Sequence, residues 1–352
     1  GAALERLFIT GVSPVTMDDV TSGFNIGTNI TNDSWFNDLV GFSENELREM
    51  LEYYKEQGVL QESIDEIVAM MKPNYDNYCF SEDTLEQCMF NSDMALYFLK
   101  SFVLHHKKPK EIVDPNIRTD FNKLAYLIKL DHGLGENFSV IKEIAEQGEI
   151  ITDIVTHFSA LEMTDPSNFK SLLFYFGLLS IKGVDMVGRP ILHVPNLVVR
   201  EQLFNFLIQG YIKHDIFKID MNKMSALFEN MAFRGDWKPL FDFIANAVRE
   251  QSRIREYIEG EAHIKGFLLA YLGMYRYYQL YPEYELNKGF ADFFFKPSLS
   301  VPVLPPFTYL LEVKYAKAGA SEKEIRALAD EAREQLLRYS GDELVAEAKA
   351  KG

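Results

Sequence analysis

Cysteine is nearly absent from this sequence, and so are long apolar runs. The 352 residues contain only two cysteines, Cys79 and Cys88, which are too few for a disulfide framework and indicate reduced thiols in a cytoplasm. No apolar stretch approaches the ~20 residues that a membrane span needs. Residues 1–20 also lack the basic-then-apolar pattern of a signal peptide. The sequence therefore predicts a cytoplasmic protein that has no membrane partner.

A phosphate-binding loop is missing as well. No Gly-x-x-x-x-Gly-Lys-Ser/Thr segment occurs, so we expect no nucleotide site and no ATP hydrolysis by this chain.

Disorder is excluded, because 47% of the residues are hydrophobic and 13% are aromatic, which is enough to build packed cores. At this length the chain can form two or three domains.

The charge is negative overall but unevenly distributed. The net charge of −16 argues against general adhesion to nucleic acid. Residues 251–352 carry 14 Lys and Arg against 15 Asp and Glu, whereas the first 250 residues carry 22 against 37. A phosphate backbone can therefore approach the C-terminal segment more easily than the rest of the chain.

Two apolar segments near the end carry ionisable residues. GFADFFFKP places Asp292 beside three phenylalanines, and FTYLLEVKY places Glu312 and Lys314 on one face of a predicted strand, because side chains alternate along a strand. Such groups are costly to desolvate unless a metal or ligand uses them. Carboxylates on neighbouring strands suit a hard cation, so we predict that Asp292 and Glu312 bind Mg²⁺ or Mn²⁺, with the Val313 carbonyl as a further ligand.

Helices are predicted on both sides of these strands. A long amphipathic helix is predicted over 251–281, with Glu261 near its start, and Ser321 and Glu324 form a capping box for a second helix. In the second helix the polar Gln335 lies on an otherwise apolar face. We expect a strand and an Asn287–Gly289 turn between the first helix and Asp292.

The order of apolar strand, Asp292, apolar strand, Glu312-x-Lys314 and amphipathic helix resembles the PD-(D/E)XK nuclease superfamily. The resemblance implies that Asp292 and Glu312 hold the metal and that Lys314 orients or deprotonates the attacking water. It further implies that a first-helix carboxylate, Glu261 or the alternative Glu259, contributes to the site and that Gln335 faces it. A solvated first-turn Glu261 and a helix-edge Gln335 are equally favoured interpretations.

Earlier segments resemble a family of AAA-like ATPases that is commonly fused to such a nuclease domain. The resemblance is carried by LFITGVSPVTMDDV, FNDLVGFSENELREMLEYY, YDNYCFSEDTLEQCMFN and DPNIRTDFNKLAYLI. It implies that the chain is a piece of a longer protein whose ATP-binding part is missing here. We also expect that the nuclease domain lacks its last strand.

The predicted fold class is mainly α, with a C-terminal α/β restriction-endonuclease-like domain and with a helical lid and a winged-helix-like unit in the middle. We predict an ATPase-core remnant at 1–34, a helical lid at 35–135, a helical and winged-helix-like domain at 136–250 and the nuclease-like domain at 251–352. One helix pair is predicted over 43–71, and helical structure is predicted over 117–165. The winged-helix-like unit comprises helix, strand, turn, strand and helix over 166–211. Because the face of its first helix is apolar, we expect this helix to pack against other parts of the protein and not to contact DNA.

The functional prediction is a bacterial Mg²⁺-dependent nuclease, a hydrolase of phosphodiester bonds that an ATPase module regulates. The expected partner is nucleic acid, with DNA favoured over RNA, and a homo-oligomer is left open. The alternative is a catalytically inactive regulatory or interaction protein that uses the nuclease fold as a scaffold.

Overall fold

The computed structural model describes residues 28–107, 136–156, 165–213, 218–251, 260–286, 289–298, 303–317 and 319–342, with shorter pieces at 8, 10, 109, 112–114, 158, 162–163, 301 and 345–346. Contacts divide the chain into two compact units. The first comprises residues 1–140 and 149–199, and the second comprises residues 141–148 and 200–352. The helix predicted over 117–135 lies outside the described residues, and the four predicted domain boundaries stay predictions.

The helices described up to residue 175 are α1 (Glu44–Glu56), α2 (Ile64–Tyr75), α3 (Ser92–His105), α4 (Glu136–Gln147) and α5 (Pro166–Tyr175). The capping box predicted for α1 is present, because the Glu46 amide donates to Ser43 Oγ at 3.2 Å and the Ser43 amide donates to Glu46 Oε2 at 2.8 Å. Apolar side chains at helical spacing then pack α1, α2 and α3 around one core, which includes Leu47, Leu51, Ile67, Met71, Tyr75 and Phe98.

The first sheet contains β1 (Glu149–Ile151), β2 (Ser180–Val184) and β3 (Pro190–His193) in the order β1-β3-β2, with antiparallel neighbours. The predicted succession of helix, hairpin and helix is present, since α6 (Leu197–Lys213) follows β3. The buried residues Phe169, Leu172 and Leu173 agree with a packing role for α5. The winged-helix assignment stays a prediction.

The prediction of helix throughout 117–165 is wrong for residues 149–151, which form β1. Gly148 explains the change of structure. Its φ of +76° lies in the left-handed region that suits glycine, and its amide donates to the Ile144 carbonyl at 2.8 Å. This geometry ends α4 and allows the following residues to pair with β3.

The later helices are α7 (Met221–Arg234), α8 (Lys238–Glu250), α9 (Glu261–Gly273) and α10 (Glu322–Tyr339), and the second sheet contains β4 (Tyr278–Leu286), β5 (Gly289–Pro297) and β6 (Tyr309–Leu311). The sheet order is β4-β5-β6, again antiparallel. Residues 291–295 of the central strand β5 are all buried. The described part is thus mainly helical with small antiparallel sheets, which is consistent with the predicted mainly-α protein with a C-terminal α/β domain.

The helix predicted over 251–281 is too long. Residues 252–259 lie outside the described part, α9 ends at Gly273, and residues 278–281 belong to β4. Aromatic residues are common in strands because they pack well against side chains on the neighbouring strand. Here Tyr278 lies opposite Pro297, and Tyr281 lies opposite Phe294. Cross-strand packing therefore overrides the apolar pattern that suggested a longer helix.

The last strand, β6, is shorter than the sequence predicted. It ends at Leu311, so Glu312 and Lys314 lie just beyond it. The Asp292 side chain accepts the Val313 amide at 2.6 Å, which takes that amide away from a backbone ladder. The carboxylate thus replaces the neighbouring strand as the partner of this segment.

A search of the described residues for a helix that is both long enough and apolar enough to span a membrane found none.

Candidate active site

Asp292 on β5 and Glu312, which lies just beyond β6, are close enough for the charge of Asp292 to act on Glu312. The last pair of the β5–β6 ladder is Phe293 with Leu311, so Asp292 and Glu312, one residue further along, face each other. Both side chains are nearly buried, with 7% of Asp292 and 4% of Glu312 exposed. Like charges placed opposite each other and away from water destabilise a sheet unless cations compensate for them.

Lys314 is the cation next to Glu312. Its Nζ lies 3.2 Å from Glu312 Oε1 and 3.3 Å from Glu331 Oε1 on α10. Burial lowers the pKa of Lys314, but the hydrogen bonds and charges of the two glutamates outweigh burial and raise it. The lysine therefore remains an ammonium that links the end of β6 to α10.

Glu312 itself is incompletely satisfied. Its Oε2 atom is buried and has no hydrogen-bond partner. Burial, followed by the charge of Asp292, raises the pKa of Glu312, and the contact with Lys314 only partly opposes this shift. A carboxylate oxygen in this position is suited to accept a further cation.

Asp292 has a different cation, Lys265 of α9. Lys265 Nζ forms an ion pair with Asp292 Oδ1 and also lies 3.2 Å from both Glu261 Oε1 and Glu283 Oε1. Burial lowers the pKa of Lys265, whereas the hydrogen bond and charge of Asp292, helped by Glu261 and Glu283, raise it strongly. Glu283 lies opposite Asp292, since its neighbours pair as Pro282 with Phe293 and Tyr284 with Ala291.

Helix α10 also carries Gln335, the other polar residue predicted for the site. Gln335 follows Glu331 by one helical turn, so the two side chains share a face. Its Oε1 atom is buried and lacks a hydrogen-bond partner. Tyr339 fixes the helix on the sheet, because its hydroxyl donates to the Phe290 carbonyl at 3.0 Å. Of the predicted apolar face of α10, Tyr339 is buried, whereas Ile325 remains 49% exposed.

The charges of the cluster favour an additional cation. Two ammonium groups contact five carboxylates, which are Glu261, Glu283, Asp292, Glu312 and Glu331. Within the described part of the chain, no three His, Cys, Asp or Glu side chains are arranged to hold a metal ion. Mg²⁺, however, usually binds through one or two carboxylates, with waters and substrate phosphates as its other ligands. Asp292 and the unpartnered Glu312 Oε2 fit that donor set.

The structure brings Asp292, Glu312 and Lys314 together, with Val313 tied to Asp292 through its amide. Gln335 lies on the α10 face that carries Glu331, and Glu261 contacts Lys265. The catalytic and metal-binding roles of these residues stay predictions.

Sequence reasoning missed Lys265, Glu283 and Glu331. Two signals in the sequence could have found the first two. Lys265 follows Glu261 by four residues, which puts both on one helix face. A hairpin at the predicted Asn287–Gly289 turn sets a register that places Glu283 opposite Asp292, as the pairing of the neighbouring residues shows. Glu331 carried no comparable signal, because its contact with Lys314 depends on how α10 packs.

Comparison with known proteins bears on this same region. No curated protein and no solved structure matches the chain. Residues 259–351 match a family model described as the PD-(D/E)XK nuclease superfamily. The matched segment is about a quarter of the chain and contains every residue of the cluster. This segment is therefore similar to the PD-(D/E)XK nuclease superfamily, and the similarity supports a nuclease-like fold for it.

Proposed function

We propose that the C-terminal segment is a divalent-cation-dependent nuclease that hydrolyses phosphodiester bonds. The observation that carries the proposal is the buried pair of Asp292 and Glu312, with Lys314 3.2 Å from Glu312 and with Glu312 Oε2 left without a partner. Asp292 and Glu312 would hold Mg²⁺ or Mn²⁺. A cation there would supply Lewis-acid stabilisation of the negative charge that develops on the phosphoryl group.

The residues of the chain have separate tasks in this proposal. The Val313 amide fixes the direction of the Asp292 carboxylate through its 2.6 Å hydrogen bond. Lys314 has three donor hydrogens, and its two glutamate partners leave one of them for a water or a phosphate oxygen. Gln335 has a buried, unpartnered carbonyl oxygen that can accept a hydrogen from the attacking water. The oriented water and the local positive charge are the chain's contributions to hydrolysis.

DNA is the substrate that we favour over RNA. The near balance of positive and negative residues over 251–352 supports a nucleic-acid partner for this segment, in contrast to the acidic first 250 residues. Cleavage assays should therefore compare duplex DNA, single-stranded DNA and RNA.

The test is cleavage by the full chain and by Glu312→Gln, with Mn²⁺, with Mg²⁺ and with EDTA. We expect cleavage that needs the cation and that is lost in the variant. Glu285→Gln is the matched control, because Glu285 is an exposed glutamate on β4 and its loss removes the same charge. Cleavage that survives both EDTA and Glu312→Gln would reject the proposal.

An inactive scaffold is the second candidate function. It is favoured by one observation, that Lys265 is an ion-pair partner of Asp292, so the site is already partly neutralised. In that case Mn²⁺ should not bind to the protein in calorimetric titrations, and the lysines would act as permanent counter-ions.

Regulation by an ATPase is supported only by the resemblance of the earlier segments to AAA-like ATPases. That module would belong to a longer protein, because the sequence contains no phosphate-binding loop. We expect ATP to leave the cleavage rate of this chain unchanged, and a nucleotide-dependent rate would contradict this expectation.

A further inference from the structure

The two oxygens of Asp292 are used differently. Oδ2 accepts the Val313 amide at 2.6 Å, and Oδ1 is bound by the ammonium of Lys265. The backbone contact fixes the carboxylate, so Oδ1 is the oxygen that a cation at the candidate site needs. Lys265 therefore holds the atom for which a divalent cation must compete.

Lys265 also has other acceptors within reach. Glu261 Oε1 and Glu283 Oε1 each lie 3.2 Å from its Nζ. These two carboxylates are more exposed than Asp292, with 36% and 59% of their side chains accessible compared with 7%. The ammonium can therefore leave Asp292 and still keep two ion pairs in a more hydrated position.

Glu283, one of the two alternative acceptors for Lys265, has an uncommon backbone conformation. Its φ of +44° lies in the left-handed region, which non-glycine residues rarely adopt. Glu283 also lies opposite Asp292 in the β4–β5 hairpin. One lysine is thus flanked by the buried carboxylate of β5 and by an exposed carboxylate of β4 that is held in an uncommon conformation.

We infer that Lys265 is a positioning residue that is exchanged for the divalent cation: it holds Asp292 in the cation-free protein and moves onto Glu261 and Glu283 when the cation binds at Asp292 and Glu312. The inference rests on the proposed nuclease function and adds a device that controls cation access to its site. Repulsion between an ammonium and a divalent cation on one carboxylate oxygen provides the driving force.

The first test measures Mn²⁺ affinity by calorimetry for the wild type and for Lys265→Met. The variant keeps a similar length but removes the competing charge, so we expect Mn²⁺ to bind more tightly by on the order of tenfold. The variant should also melt at a lower temperature than the wild type in EDTA, because Asp292 loses its counter-ion, and Mn²⁺ should recover most of that loss. Lys323→Met is the matched control, since Lys323 is exposed on α10 and should not affect affinity.

The possible results separate the inference from the function on which it rests. Wild-type binding that Lys265→Met leaves unchanged or weakens would overturn the exchange and leave the proposed cation site intact. Failure of both proteins to bind Mn²⁺ would overturn the proposed function and the exchange together. Binding by the variant but not by the wild type would be the strongest support for the exchange.

A second variant tests the acceptor side with little risk to folding. Glu283→Gln changes an exposed side chain and should weaken Mn²⁺ binding several-fold, because Lys265 loses one place to move. Glu285→Gln on the same strand is the control and should have a smaller effect. In the Lys265→Met background, Glu283→Gln should no longer weaken binding. If the weakening persists there, Glu283 acts on the cation directly and the exchange is rejected.

Discussion

The two three-stranded antiparallel sheets both carry lysine–glutamate contacts, but in very different surroundings. In the first sheet Lys182 pairs with Glu149, and 56% and 42% of these side chains are exposed. At the edge of the second sheet, just beyond β6, Lys314 pairs with Glu312, and only 18% and 4% of these side chains are exposed. Water can solvate the first pair almost as well when it is broken, whereas the second pair depends on its protein partners.

The comparison distinguishes exposed charges, which water solvates, from buried charges, which need partners within the protein. Exposed ion pairs contribute little to stability, because solvent screening and side-chain entropy offset their attraction. Buried carboxylates such as Asp292 and Glu312 carry a desolvation cost that the surrounding cations and donors must offset. The nuclease proposal gives these two buried carboxylates a task that the exposed pair of the first sheet lacks.

The largest expected effect is on catalysis. Lys314→Met should lower kcat by about 100-fold or more while KM changes little, because the ammonium acts on charge that develops during the reaction. Initial rates on one DNA substrate over a range of concentrations give both constants. The corresponding change in the first sheet, Lys182→Met, should leave kcat unaltered. Equal losses in the two variants would show that burial of the pair is unrelated to activity.

The next effect concerns stability. Asp292→Ala in EDTA should lower the free energy of unfolding by about 3 kcal/mol, because it leaves the partly buried Lys265 without its nearest partner and the Val313 amide without an acceptor. Glu149→Ala should cost less than about 1 kcal/mol. Urea unfolding followed by circular dichroism measures both values. Similar values for the two variants would remove the distinction between the sheets.

The sequence predicted those helices and strands that depend on residues close to one another along the chain. The capping boxes at Ser43 and Ser321 follow from residues close in sequence, and the helices that they begin appear where they were predicted, as does β5. Alternation along the strand also indicated that Asp292 and Glu312 belong together, because a neighbouring strand brings them into register.

Tertiary contacts determined what the sequence could not predict. Strand β1 forms because β3, more than 35 residues later, supplies its partner. Strand β6 stops early because a side chain from β5 takes the Val313 amide. Lys265 reaches Asp292 because α9 packs against β4. Its spacing from Glu261 indicates a shared helix face but does not identify Asp292 as its partner. The predicted part of the site therefore lacked its main counter-ion.

A smaller effect should appear as a difference in pH dependence between two glutamates. Burial raises the pKa of Glu146, whose Oε1 atom has no hydrogen-bond partner, whereas the Ser43 amide and hydroxyl lower the pKa of Glu46. The folded state therefore favours protonated Glu146 and ionised Glu46. As the pH rises from the ordinary glutamate pKa of 4.5 through the raised value, ionisation of Glu146 makes the protein less stable.

Replacing each glutamate should reveal opposite signs. Glu146→Gln should be more stable than the wild type at pH 7, by up to about 1 kcal/mol, and the difference should vanish below the ordinary glutamate pKa. Glu46→Gln should instead be less stable at pH 7, and its deficit should shrink as the pH falls through the lowered pKa. Urea unfolding at several pH values measures both trends. A Glu146→Gln variant that is less stable at pH 7 would indicate that its contact with Lys142 outweighs burial.

The smallest effect belongs to the exposed pair itself. Lys182→Met should change the free energy of unfolding by less than about 1 kcal/mol at low salt. Near 1 M salt, where the screening length is roughly 3 Å, the difference should be smaller still. If Lys182→Met lowers the free energy of unfolding by several times this amount, the pair of Lys182 and Glu149 depends on its protein partners as much as the pair of Lys314 and Glu312 does. Exposure would then no longer explain the contrast between the two sheets.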